Sequence, residues 1–288
     1  MADADGLSPV VQRRRLRTEL RKARQEAQFT QEQVAVEMDW SLSKVIRIEN
    51  GSVNISTNDL KALLRLYELT DDNRTEELVA LARASRERAW WSGYREVAPA
   101  SLLQLIGYET AASVRREFET LLIPGILQTE EYARTTIREF VEGPAKHLDT
   151  LVELRMKRQE LLERADPPTL FFVLDEAVVR RQIGGKAVMR HQILRLIEVA
   201  DRPKVTVEVV PFAAGAHPGL KGPFVVIGFP DPEDDDVLYQ ESAQGDLVSR
   251  DLPEQLPVYR EAFEVLRKLS LGPEGSVAFL ALLAEEMA

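Results

Sequence analysis

The sequence contains no cysteine and only three histidines, His147, His191 and His217. The lack of cysteine excludes disulfide bonds, thiolate catalysis and every zinc or iron–sulfur site with cysteine ligands. The histidines do not have the spacing of a metal-binding motif, which argues against a catalytic transition metal. Because no Ser-His-Asp order is recognisable either, we expect neither a cofactor nor an enzymatic activity.

Long apolar runs are also missing. The longest one, Val277 to Ala284, falls far short of the roughly 20 residues that cross a bilayer. The N-terminus lacks the apolar segment of a secretory signal. We therefore expect a cytoplasmic protein with no membrane association.

The length and composition are those of an ordinary globular protein. The chain has 288 residues, of which 44% are hydrophobic and 29% charged. This length favours two domains, and the aromatic and Pro-rich segment around residues 91–100 is the predicted linker between them. We expect a domain at residues 1–90 and a second at residues 101–288.

The net charge of −10 at first argues against a nucleic-acid partner, but the charge is unevenly distributed. Residues 1–95 hold 16 basic and 15 acidic residues, whereas the remainder holds 21 basic and 32 acidic residues. Within residues 9–51 the balance is nine basic to six acidic. A basic face of this kind is what phosphate binding requires.

Residues 9–90 have the pattern of a small helical bundle. Apolar residues recur every three or four positions in residues 9–28, again from about Thr57, and again from about Thr75. The first of these helices carries a predicted positive stripe on its charged face, formed by Arg13, Arg14, Arg15, Arg17 and Arg21. With the two helices described next, the pattern predicts five short helices around one core.

The stretch from Thr30 to Gly51 predicts two amphipathic helices separated by one or two residues. Thr30 and Gln33 have the spacing of a capping box, and Ser41 is placed to cap the following helix. Gly51 supplies a left-handed residue where that helix ends. The sequence therefore predicts two short helices that follow one another almost directly.

The second of these helices has a face that the core does not use. If Val45 and Ile48 point inward, the exposed positions are Leu42, Ser43, Lys44 and Arg47. Such side chains reach base edges and phosphates when a helix enters a DNA groove. Arg47 suits a bidentate contact to guanine, Leu42 a thymine methyl group, and Lys44 a phosphate. Alternatively, the charged face of an amphipathic helix is simply solvated.

Residues 9–70 resemble the helix-turn-helix domain of the phage-repressor or Cro-like family, also called the XRE family. The matching positions are Thr30, Gln31, Ala35, Ser41, Ser43, Val45, Arg47, Ile48, Glu49, Asn50 and Gly51. The resemblance implies a lambda-repressor-like fold in which the helix from Ser41 to Asn50 enters the major groove. It also implies that Gln31 contacts DNA and that Arg24 and Glu49 form a buried ion pair. Ile46 departs from the family pattern, because a small polar residue is commoner there.

Beyond residue 100 the periodicity changes. Helical patterns occur in several segments, namely residues 101–119, the residues from Thr129, and residues 145–165, 186–200, 254–270 and 273–287. Short runs rich in β-branched and aromatic residues predict strands at 169–174, 204–212, 222–229 and 236–242. The order predicts an α+β domain with a small mixed or antiparallel sheet.

This second part is also similar to a known domain. The stretches FETLLIPGILQTEEYAR, LDEAVVRRQIGG, VVPFAAGAHPGLKGPF and VLYQE resemble an uncharacterised domain that follows such heads in regulators of high-GC bacteria. Some of those regulators are described as antitoxin-like or developmental and are paired with a small neighbouring protein. The resemblance implies no established chemistry.

Two stretches of the second part are candidates for ligand or partner binding. The Gly-rich loop of residues 213–222 is either a contact surface or a flexible connection between strands. Asp175 and Glu176 begin either a ligand site or a helix cap. The candidate residues in these stretches are His217, Lys221, Arg180 and Arg181.

Taken together, the sequence predicts a transcriptional regulator that binds double-stranded DNA. The resemblance implies a homodimer on a palindromic or pseudo-palindromic operator, with a partner protein or small effector acting on the second domain. The alternative is an antitoxin-like interaction module that mainly sequesters a small partner protein. The predicted DNA-contacting residues are Gln31, Ser41, Leu42, Ser43, Lys44, Arg47 and Asn50.

Overall fold

The computed structural model describes residues 8–51, 53–140, 145–231, 235–241, 247–249 and 255–288. The chain forms two compact units, residues 1–92 and residues 93–288. A 3-10 turn, Trp90–Tyr94, spans the division, and the next helix begins at Ala100. Among the described helices, none combines the length and the apolar character that a bilayer crossing requires.

The first unit consists of short α-helices in its described part. They are α1 Pro9–Glu26, α2 Gln31–Glu37, α3 Leu42–Glu49, α4 Thr57–Leu66 and α5 Asp72–Ala84. Each begins after a residue whose side chain accepts a hydrogen bond from a backbone N–H of the first turn, and these residues are Ser8, Thr30, Ser41, Ser56 and Asp71. Such caps satisfy N–H groups that the helix itself leaves unpaired. The fifth helix starts at Asp72 rather than near Thr75 because Asp71 caps it.

One hydrophobic core joins these helices. Its buried members include Leu20, Val34, Val45, Ile48, Leu60, Leu63, Leu64 and Leu78. Burying each such side chain contributes about 1.5–3 kcal/mol, so the packing stabilises helices that are individually too short to persist in water. The inward orientation predicted for Val45 and Ile48 is confirmed.

The second unit is an α+β domain, which confirms the predicted fold class. Its helices are α6 Ala100–Ala111, α7 Glu130–Phe140, α8 Ala145–Arg158, α9 Glu176–Arg180, α10 Lys186–Ala200, α11 Leu256–Leu269 and α12 Gly272–Glu286. Its strands are β1 Val114–Glu119, β2 Thr169–Asp175, β3 Val205–Val210, β4 Phe224–Gly228, β5 Val237–Gln240 and β6 Leu247–Ser249. Strands β2 to β5 lie where the sequence predicts them, although residue 242 of the last predicted run is outside the described residues.

The strands form a single mixed sheet in the order β3-β2-β1-β4-β5-β6. Strand β1 pairs in parallel with β2, which pairs in parallel with β3. On its other side β1 pairs antiparallel with β4, and the antiparallel pairing continues to β5 and β6. Strands β2 and β3 therefore lie on one side of β1, and β4, β5 and β6 lie on the other, so β1 is an interior strand at which the strand order reverses.

Strand β1 corrects a prediction. The sequence pattern assigns residues 101–119 to one helix, but the helix ends at Ala111 and residues 114–119 form a strand. The run VRREFE has the charge density of a solvated helix face, which explains the wrong assignment. Its charged residues Arg115 and Glu117 are instead buried and paired with each other, and Arg115 also pairs with Glu109 of α6.

Each face of the sheet is covered by helices. On one face, Phe172 belongs to an apolar cluster with residues of α10 and α12, among them Met189 and Leu283. On the other face, Phe118 and Phe224 pack with Phe263 of α11. These two layers hold β1 and the loop that follows it in place.

Candidate nucleic-acid interface

Local sequence signals position α2 and α3. The capping box at Thr30 and Gln33 is confirmed, with Thr30 N donating to Gln33 Oε1 at 2.8 Å and Gln33 N donating to Thr30 Oγ1 at 3.2 Å. Ser41 Oγ accepts from the N–H of Lys44 at 3.2 Å. Residues 38–41 separate the two helices, rather than one or two residues, and Asp39 adopts a positive φ of 52° in this turn. The turn redirects the chain so that α3 packs against α2.

The face of α3 opposite its buried side is open to solvent. Val45, Ile48 and Glu49 are buried. Residues about 180° around the helix from them point away from the core. The exposed residues of this segment are Ser41, Leu42, Ser43, Ile46, Arg47 and Asn50. They include apolar atoms, because Leu42 is 37% and Ile46 41% exposed.

Arg47 extends from the middle of this face. Its Nε donates to the backbone oxygen of Ser43 at 3.2 Å, one turn earlier. No acidic side chain of a described residue forms an ion pair with it. Its remaining N–H groups are therefore available to acceptors outside the unit.

Lys44 lies at the edge of the face and has partners of its own. Its Nζ forms an ion pair with Asp59 Oδ2 of α4 at 3.1 Å and lies 3.7 Å from the centre of the Trp40 ring. A partly exposed pair of this kind is worth about 0–1 kcal/mol. Lys44 can therefore exchange Asp59 for a phosphate at little cost.

Behind the face, a network of charged and polar side chains fixes α3 to α1 and α2. Arg24 Nε donates to Glu49 Oε1 at 2.6 Å and Arg24 Nη2 to Glu49 Oε2 at 3.1 Å. The hydrogen bond to Glu49 raises the pKa of Arg24. Gln31, which the sequence places among the DNA contacts, donates from Nε2 to Glu49 Oε2 at 2.7 Å. Its side chain therefore links the start of α2 to the end of α3.

Two arginines of α1 bind the C-terminal end of α3. Arg17 Nη1 donates to the Asn50 oxygen at 3.2 Å, and Arg21 Nη2 donates to the Glu49 oxygen at 3.3 Å. These carbonyls have no partner within the helix, and cations near them interact favourably with the helix dipole. The predicted positive stripe of α1 is thus partly wrong, because Arg14 and Arg17 are buried.

Sequence reasoning missed one exposed residue close to this region. Val36 of α2 is 77% exposed, although it lies beside the buried pair Val34 and Ala35. The signal was present in the helical period, which places residue 36 away from both of its inward neighbours. An apolar side chain left in water on such a helix is suited to contact a thymine methyl group or a partner.

The candidate residues of the second unit do not form one site. The side chain of His217 is only 4% exposed, with Nε2 3.5 Å from Asp175 Oδ2, whereas Lys221, Arg180 and Arg181 are exposed. Asp175 caps α9 by accepting from Ala177 N at 2.8 Å, as the helix-cap interpretation predicts. Among the described residues, no group of three potential ligands could hold a metal ion.

The second unit contains a buried charge network that the sequence does not reveal. Arg115 of β1 donates to Glu117 Oε2 from Nε at 3.0 Å and from Nη2 at 2.8 Å, and it also contacts Glu109 of α6. Arg158 of α8 donates to both oxygens of Glu109, at 3.1 and 2.7 Å. Burial acts to raise the pKa of Glu109, but Arg158 and Arg115 outweigh it and hold that pKa below its ordinary value. These partners are separated by up to 49 positions, so no local pattern indicates their pairing.

Two family matches agree with this division of the chain. Residues 15–78 match the family described as a helix-turn-helix domain. Residues 102–281 match a family described as a domain of unknown function, DUF5753. A helix-turn-helix domain indicates a DNA-binding regulator. No curated protein and no solved structure matches the chain.

Proposed function

We propose that this chain, which belongs to the DUF5753 family and carries a helix-turn-helix domain ahead of that domain, is a sequence-specific transcriptional regulator of the XRE type. The observation that carries the proposal is the exposed face of α3. Arg47 and Asn50 lie there beside Ser43, on a helix whose opposite side is buried. A helix presented in this way fits the major groove, where base edges carry a unique pattern of donors and acceptors.

Roles follow from the position of each side chain. Arg47 contacts a guanine with the N–H groups that Ser43 leaves unused. Leu42 and Ile46 lie against thymine methyl groups, and Lys44 leaves Asp59 for a phosphate. Glu49 holds α3 in place through Arg24.

A single helix of eight residues reads few base pairs, so the regulator acts as a homodimer on two half-sites about one helical turn apart. The second unit supplies the dimer contact and responds to a small effector or partner protein. We expect the operator to be palindromic or pseudo-palindromic.

The test begins by selecting the preferred DNA sequence from a random pool with the wild-type protein. Arg47→Ala should then weaken specific binding by about 1–3 kcal/mol, or about 5-fold to 150-fold in Kd. Lys44→Ala should weaken binding to all sequences and lower the slope of log Kd against log salt by about 1. Arg83→Ala, which removes an exposed arginine of α5, is the charge-matched control. Unchanged affinity in both α3 variants would remove the assignment.

The alternative role, sequestration of a small partner protein, makes a different prediction. In that case Arg47→Ala would change reporter expression in cells as much as the wild type does, because capture of the partner does not use α3. If the protein is a DNA-binding regulator, Arg47→Ala should lose its influence on reporter expression together with operator binding. Reporter expression measured beside operator affinity for the same variant separates the two.

A further inference from the structure

Arg86 lies two residues beyond the end of α5 and is exposed to solvent. Its Nε donates to the backbone oxygen of Ala82 at 2.9 Å, and its Nη2 donates to Thr57 Oγ1 at 2.9 Å. Within the part of the chain that the structure describes, no carboxylate forms an ion pair with it. Since a guanidinium group has five N–H groups, Arg86 is an oriented cation with donors left for an anion outside the unit.

The segment that carries Arg86 is held against the rest of the first unit. Ser85 is buried, and its backbone oxygen accepts from Arg13 Nη2 of α1 at 3.2 Å. Ser85 also lines a small cavity together with Val53 and Ile55, which belong to the connection between α3 and α4. The end of α5 therefore lies beside the segment that leads into α4.

The start of α4 connects Arg86 to the edge of α3. Thr57, which accepts from Arg86, is the first residue of α4. In the same turn Asp59 accepts from Lys44 Nζ of α3 at 3.1 Å. Each residue of a helix is rotated by about 100° from the one before it, so residues two apart point to opposite sides. Arg86 and Lys44 therefore flank the start of α4.

This position lies toward a phosphate backbone when α3 is in the major groove. A helix with its side chains is about 10–12 Å across, and the groove is about 12 Å wide, so each edge of α3 meets one backbone. Lys44 marks the edge of α3 that faces α4. Arg86, on the other side of the start of α4, lies toward the same backbone.

The local charge also favours an anionic partner. Residues 82–90 contain the three arginines Arg83, Arg86 and Arg88 but one acidic residue, Glu87. Glu87 forms no ion pair with a described residue, and all four side chains belong to exposed residues. An excess of positive charge on a surface attracts the negatively charged DNA backbone.

We propose that Arg86, oriented by Thr57 at the start of α4, contacts the phosphate backbone of the operator and so extends the DNA interface of α3. Arg86 lies outside residues 15–78, which match the helix-turn-helix family. The contact is made to phosphate oxygens and reads no base, so it contributes to the affinity for every DNA sequence. The inference rests on the proposed function, because it takes α3 to lie in the major groove.

The salt dependence of DNA binding by the full-length protein tests the contact. Each phosphate contact adds about 0.9 to the slope of log Kd against log salt, so Arg86→Ala should lower that slope by about 1. Between about 50 and 200 mM salt, the variant should lose about 3.5-fold less affinity than the wild type, on the operator and on unrelated duplex DNA alike. Arg65→Ala is the matched control, because Arg65 is an exposed arginine in the last turn of α4, far from Thr57. It should keep the wild-type slope.

Two further variants separate a DNA contact from a structural role. Arg86→Gln removes the charge and keeps a hydrogen-bond donor for Thr57, so it should lower the slope as Arg86→Ala does. Arg86→Lys keeps the charge and should keep the slope. If Arg86 only holds the end of α5 to α4, Arg86→Ala would lower the melting temperature and leave the slope unchanged, and that result would overturn the inference.

Ethylation interference on the selected operator locates the contact. Ethylation neutralises single phosphates, and binding of Arg86→Ala should become insensitive to ethylation of one phosphate in each half-site that the wild type requires. That phosphate should differ from the one lost in Lys44→Ala. A wild-type ethylation pattern in Arg86→Ala would overturn the inference. If Arg47→Ala loses operator binding in the same experiments, only the Arg86 contact is wrong; if Arg47→Ala binds like the wild type, the proposed function fails as well.

Discussion

Replacing Arg24 by methionine should leave the carboxylate of Glu49 inside the first unit without its cation. The Glu49 side chain is 4% exposed and that of Arg24 is 13% exposed, so the pair is largely shielded from water. Removing one partner of a buried pair costs about 3–5 kcal/mol. Because Gln31 still donates to Glu49 at 2.7 Å, we expect the lower end, about 3 kcal/mol.

This loss is large for a unit of this size. A domain of 92 residues has a free energy of unfolding of about 5–14 kcal/mol. With a urea slope of about 1.5–2 kcal/mol/M, a loss of 3 kcal/mol lowers the midpoint by about 1.5–2 M. The three tryptophans, Trp40, Trp90 and Trp91, all lie in the first unit. Their fluorescence in urea therefore follows its unfolding within the full chain.

The double variant Arg24→Met/Glu49→Met separates pairing from packing. Two apolar side chains of similar volume leave no uncompensated charge, so the double variant should be more stable than Arg24→Met alone. A loss under about 1 kcal/mol in Arg24→Met would refute the reasoning. A double variant that loses the sum of both single effects would refute it too.

Three further outcomes are expected. The pKa of Glu109 is lowered in the folded state, so its ionised carboxylate stabilises the second unit at any pH above 4.5, its pKa in the unfolded chain. This stabilisation is lost as the pH falls through the pKa of the folded state. Urea unfolding followed by circular dichroism should show this loss at acid pH in the wild type and not in Glu109→Gln. Arg17→Met and Arg21→Met should weaken specific DNA binding, because the guanidinium groups of these residues bind backbone carbonyls of α3 and not phosphate. The slope of log Kd against log salt concentration should therefore stay unchanged, and a slope reduced by about 1 would contradict this. Gly219→Ala should lower the free energy of unfolding by about 1–3 kcal/mol in the same experiment, since its Cβ would lie 2.2 Å from the Phe118 ring, and an unchanged value would disprove the close packing.

The helices of the first unit follow from local signals. The capping box at Thr30, the cap at Ser41 and the positive φ of Gly51 each depend on residues within a few positions. The apolar period then decides which sides of α2 and α3 are buried. The contacts of Arg17 and Arg21 could not be predicted, because they join residues about 30 positions apart whose side chains look like an ordinary solvated face.

The second unit shows where local patterns fail. Strand β1 has three charged residues on one face, and a sequence pattern assigns such residues to solvent. Arg115 is tolerated in the interior only because Glu109 and Glu117 meet it there, which depends on the tertiary fold.

The central claim is that Arg47 on α3 reads a guanine in the major groove. Dimethyl sulfate footprinting tests it directly, because the reagent methylates guanine N7 in that groove. On the selected operator, wild-type protein should protect a guanine in each half-site, and Arg47→Ala, at concentrations that restore full occupancy, should lose protection at that guanine alone. Identical footprints for the two proteins, or no protected guanine in the wild type, would contradict the claim.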